Sequence, residues 1–132
     1  MSRGALPERR GGQTETLPLV GAAPGRPLNE PPGEHLYGSE AALLRSLPGA
    51  DRWRWRDGPG GLSEAMVRFA LRYEMARDVE DVLARRSRLL FLDAAAAAEV
   101  AGEVAKIVEE ETGRACDRRA FAELAAQYRR LP

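Results

Sequence analysis

The sequence predicts an all-α fold: a small helical bundle of four to five helices preceded by an extended Pro/Gly-rich N-terminal segment. Three observations carry this. Of 13 Gly in 132 residues, 11 fall at or before Gly61, and of 9 Pro, 8 fall at or before Pro59. Gly raises the entropy cost of ordering and Pro removes a backbone donor, so the first 61 residues can hold little long regular structure. From Leu62 onward, apolar residues recur with helical spacing. The apolar content is mostly small, 22 Ala against 6% aromatic residues, and small side chains favour helix and let helices approach closely.

The elements follow in order. Residues 1–13 read as a disordered leader. Residues 14–61 read as an extended loop segment, turn-rich from Leu17 to Gly38, with one short helix over 39–47 that Ser39 caps and Pro48-Gly49 stops. Arg52 to Gly61 reads as a second loop, in which Trp53 and Trp55 alternate with Arg52, Arg54 and Arg56. Such interleaving can stack bases or sit at a membrane interface. The commoner outcome is two rings packed on a neighbouring surface while the arginines stay wet.

Residues 62–132 form the predicted bundle. Ser63 caps a helix with Met66, Phe69, Ala70 and Tyr73 on one face; the next begins after Asp78, with Asp81 at the capping-box position and Val79, Val82 and Leu83 inward. Arg85, Arg86 and Arg88 fall in its last turns, where cations suit the helix dipole. Leu89-Leu90-Phe91-Leu92 is a buried helical turn or a brief extended piece. Asp93 caps the longest helix, Ala94 to about Glu111, with a stripe of Ala97, Val100, Ala101, Val104, Ile107 and Val108, and Gly113 stops it. Asp117 caps the last, with Phe121, Leu124, Ala125 and Tyr128 at the same spacing.

Charge and composition exclude several classes. Twenty Lys+Arg balance twenty Asp+Glu, which argues against nucleic-acid binding driven by bulk charge. Cys116 and His35 are each alone and lie in contrasting sequence environments, so neither a Cys/His zinc site nor a His-activated nucleophile is supported. A lone cysteine fits a reduced compartment. No apolar run approaches the ~18 residues of a spanning helix, and no phosphate-binding glycine motif is present. Glu99, Glu103, Glu109, Glu110 and Glu111 follow a solvated face opposite the apolar stripe. No catalytic, cofactor-binding or metal-binding residue is therefore assigned.

The one dense polar cluster runs from Glu74 to Arg88. Its simpler reading is a set of i, i+4 pairs, such as Asp81 with Arg85, worth ~0.3 to 0.5 kcal/mol each when exposed. The sharper reading makes Glu74, Asp81, Arg85, Arg86 and Arg88 a docking cluster for another domain, because Arg offers a planar fork of donors to carboxylates and backbone carbonyls.

The stretch Arg72-Tyr-Glu-Met-Ala-Arg-Asp-Val-Glu-Asp-Val-Leu-Ala-Arg-Arg-Ser-Arg-Leu-Leu-Phe-Leu-Asp93 resembles the C-terminal helical domain of FAD-dependent, quinone-linked glycerol-3-phosphate dehydrogenases. Thr16-Leu-Pro-Leu-Val-Gly-Ala22 and Leu36-Tyr-Gly-Ser39 resemble two further segments of that domain, so the likeness spans residues 14–128. The resemblance implies that FAD and substrate are held by a separate large domain, and that this chain, beginning at its own Met1, is the accessory domain alone and binds no cofactor. Its implied partner is a separate FAD-binding catalytic domain, in the cytoplasm, with peripheral contact at the inner membrane face. Two alternatives stand beside this: a free-standing interaction module working through Trp53 and Trp55, and a truncated remnant without activity.

Overall fold

The computed structural model describes residues 33–130 together with Gly12, Glu15, Thr16, Leu17, Leu19 and Gly21. Apart from Gly12, the expected leader lies outside the described residues, as do residues 22–32 of the expected extended loop.

The first regular piece is a 3-10 segment, Glu34–Glu40, that runs into helix α1, Ala41–Ser46. Helical structure thus starts before Ser39, and no side chain caps α1. Gly38 explains the difference. It has φ +54, and a Cβ there would lie 1.4 Å from the Gly21 carbonyl oxygen, while the Ser39 amide donates to that oxygen at 3.2 Å. Two segments cross here at backbone contact, which only glycine permits.

Arg52 to Gly61 is not the simple loop expected. Strand β1, Trp53–Trp55, pairs antiparallel with β2, Leu62–Ser63, with Trp53 opposite Ser63 and Trp55 opposite Leu62. The Trp-Arg-Trp alternation is the period of a strand, and Asp57-Gly58-Pro59-Gly60 supplies the turn. Both Trp rings are half-buried, and Trp55 packs on the main core.

Helix α2, Glu64–Tyr73, starts at Ser63, whose hydroxyl accepts from the Met66 amide at 3.3 Å. Val67, Phe69 and Ala70 are buried, but Tyr73, expected inward, is half-exposed against the Phe69 ring. Met75 then adopts a left-handed conformation, φ 61, which turns the chain so that the Ala76 amide reaches the Ala70 carbonyl at 3.0 Å. An L-residue pays for that conformation and glycine does not. Met75→Gly is therefore expected to stabilise the fold by about 0.5 to 1 kcal/mol, net of glycine's entropy, seen as a higher urea midpoint; an unchanged or lower midpoint refutes the strain.

The next segment departs from the ideal period. Asp81–Arg86 is π-helical, and the Ser87 amide bonds the Val82 carbonyl five residues back at 2.9 Å. Val79, Val82 and Leu83 are nonetheless buried. Arg88 lies outside this helix, left-handed at φ 58, and leads into a single turn, α3, Leu89–Leu92. Leu89 and Leu90 are buried, while Phe91 and Leu92 are exposed.

Helix α4, Ala94–Thr112, runs under all of this. Asp93 accepts from the Ala96 amide at 3.0 Å, the whole expected stripe is buried, and Gly113, φ 67, ends the helix. Helix α5, Arg118–Tyr128, is capped by Asp117 through the Ala120 amide and inserts Phe121 and Ala125 into the core. The main core joins α2, the π segment, α3, α4 and α5; a smaller cluster of Leu44, Leu47, Ala65 and Phe69 fastens α1 to α2.

Candidate docking surface

The Glu74 to Arg88 cluster is divided by the structure. Arg85 pairs with Glu80 at 2.7 Å and with Asp81 at 3.0 Å, the second being the i, i+4 pair expected from sequence. Asp81 also accepts from the Arg77 amide at 2.9 Å, and its own amide donates to Asp78 at 2.8 Å, so these residues start the helix as a capping box would. Arg86 donates through Nε to the Glu74 carbonyl at 3.0 Å, pinning the end of α2 to the π segment. Burial raises the Glu74 carboxyl above its ordinary value, against the opposing charge of Arg86. Arg88 is exposed, and its side chain makes no hydrogen bond or ion pair among the described residues.

Beside this cluster lies an apolar cleft of about 170 Å³, walled by the 3-10 segment, the hairpin, α2, the π segment and α3. Leu36, Trp55, Met66, Leu89 and Leu92 line it, and Arg86 is the one charged residue among its described lining residues. Leu36 and Leu92 are 67% and 75% exposed. Tyr37, also in the lining, has its hydroxyl pushed up to about 12 by burial and by the charge of Glu74, so it stays neutral.

The hairpin wall is held by an ionic hub absent from the expected sites. Glu64, its side chain 5% exposed, accepts from Arg52 at 2.9 and 2.8 Å, from Arg54 at 2.7 Å and from Arg68 at 2.7 Å. These bonds, Arg52's first, hold its carboxyl well below the usual carboxylate range despite burial. Gly49, φ +87, lies directly beneath, where a Cβ would come within 2.6 Å of the Glu64 side chain. Arg68 continues the chain of charge to Glu110 at 2.8 Å and to Glu111.

Glu111 corrects the expectation of a wholly solvated acidic face. Its side chain is 11% exposed and accepts from Arg72 at 2.7 and 2.6 Å, because Arg68 and Arg72, four residues apart on α2, face α4. Glu109 accepts from the Cys116 amide at 3.2 Å and from Arg118 at 2.8 Å. Cys116 and His35 line separate hollows, and burial, with Glu109 nearby, raises the Cys116 thiol. Among the described residues no group of three or more His, Cys, Asp or Glu is placed to hold a metal ion. No described helix is long and apolar enough to cross a membrane.

The fold and this surface define a small helical domain with a fixed ionic frame around one apolar cleft. Residues 12–119 match the family of the C-terminal domain of alpha-glycerophosphate oxidase, and the chain belongs to that family. No curated protein and no solved structure matches it significantly. It is thus a C-terminal accessory domain of the glycerol-3-phosphate oxidase and dehydrogenase family, in agreement with the resemblance carried by Arg72 to Asp93.

The apolar cleft does not suit the FAD that this family implies. A dinucleotide needs a phosphate cradle of backbone amides and a pocket of several hundred Å³. The cleft is about 170 Å³ and apolar, and no glycine-rich phosphate loop among the described residues lines it.

Proposed function

We propose that this chain is the non-catalytic accessory domain of an FAD-dependent glycerol-3-phosphate oxidase or dehydrogenase, and that its work is to pack against the flavin-binding domain. The family match over residues 12–119 carries the reading. Two features support it: the cleft is unsuited to a dinucleotide, and its exposed apolar rim suits a protein surface. The partner is a separate FAD-binding catalytic domain, in the cytoplasm at the inner face of the membrane. A free-standing module working through the Trp pair is less well supported, because Trp55 is packed on the core and the Arg56 guanidinium sits 4.5 Å over its ring.

The purified chain is expected to be colourless and to give no glycerol-3-phosphate-dependent dye reduction. Co-expression with an FAD-binding glycerol-3-phosphate oxidase catalytic chain is expected to give a yellow complex. Flavin bound to the chain alone, or dye reduction by it, overturns the proposal.

A further inference from the structure

The cleft has the character of a seat with a chosen occupant. Its outer edges, Leu36 and Leu92, are 67% and 75% exposed although they belong to different elements and line the same hollow. Isolated exposed leucines need no explanation, but two on one concave apolar surface mark an interaction site. Its volume, about 170 Å³, is below that of drug-sized ligand pockets and suits one or two inserted side chains.

Charge narrows the choice. Arg86 is the one charged residue among the described lining residues, and its Nη1 makes no hydrogen bond among them. Arg88, between the lining residues Ser87 and Leu89, is exposed and unpaired among the described residues. Resting on the function proposed above, we infer that this cleft receives an apolar segment of the flavin domain that carries a carboxylate, which Arg86 and Arg88 meet at the rim. A second copy of this chain is disfavoured as occupant, because a two-fold contact would set the same guanidinia against one another. Asp81 and Arg85, satisfied by each other, take no part.

The test uses the full chain, tagged and co-expressed with the FAD-binding catalytic chain, with flavin absorbance of the eluate as readout. The double variant Leu36→Glu, Leu92→Glu should lower co-purified flavin about tenfold or more, since each carboxylate would be driven into an apolar seat. Arg88→Glu should lower it about threefold to tenfold, and Arg119→Glu, on the exposed face of α5, should leave it unchanged. All three alter exposed residues, and matching circular-dichroism melts confirm that the variants fold. If wild type captures flavin and the double variant captures as much, the cleft is not the seat, and the accessory function stands. If wild type captures none, that function falls and the inference with it. Self-association of wild type abolished by the double variant would make a second copy the occupant and overturn the inference.

Discussion

Phe69→Ala is expected to destabilise the fold by about 3 to 5 kcal/mol, which for a domain of this size lowers the melting point by about 10 to 20 °C. Phe69 is 1% exposed, with Leu44, Leu47 and Ala65 in the smaller core cluster. Its ring centroid lies 5.0 Å from those of Tyr37, edge-on, and Tyr73. Truncation removes the largest buried side chain of the cluster that joins α1 and the 3-10 segment to α2, and the neighbours cannot close the gap, because Leu44 is held on a six-residue helix and Leu47 caps it. Phe91 makes the control: it is 53% exposed and contacts the Tyr128 ring, so Phe91→Ala should cost less than about 1 kcal/mol. Urea titrations of both variants decide it. Equal midpoints would mean that the smaller cluster does not hold α1 in place.

What was legible in the sequence was what local chemistry determines. Ser63, Asp93 and Asp117 were identifiable as caps because a cap satisfies amides two or three residues away, and all three side chains accept those bonds. The α4 stripe was legible because helical period alone sorts it. The π segment was not, since a five-residue hydrogen bond shifts the period only after the fold has imposed it. Nor was the cleft, whose wall combines Leu36, Trp55, Met66 and Leu92 from four separate elements. A partial signal existed for the ionic hub: Glu64 and Arg68 stand four apart on a helix. Arg52 and Arg54 reach it only because the hairpin folds back, and seeing Trp53 to Trp55 as a strand would have brought them there.

Glu64→Gln is expected to destabilise the fold by about 3 kcal/mol at pH 7, the low end for breaking a buried ion pair because Arg52 is half-exposed. Glutamine keeps the shape and removes the charge, leaving Arg54, largely covered, with only the more distant Glu103 at 3.7 Å, and Arg68 with Glu110 and Glu111 alone. The sign with pH follows from the direction of the shift. The Glu64 carboxyl sits lower in the fold than its ordinary 4.5, so the unfolded chain binds the proton first. Its stabilisation is then complete above that value and is lost as pH falls toward the folded value. Glu111, also lowered, by Arg72 first and then Arg68, adds to the same slope; Glu74, raised by burial, opposes it. At pH 3 the gap between wild type and Glu64→Gln should therefore have narrowed by about 2 kcal/mol, at 1.36 kcal/mol per pH unit below the ordinary value. Urea midpoints at pH 7 and pH 3 measure it. A gap that stays constant would mean that Glu64 is not held as a buried carboxylate, and the hairpin wall of the cleft would need another support.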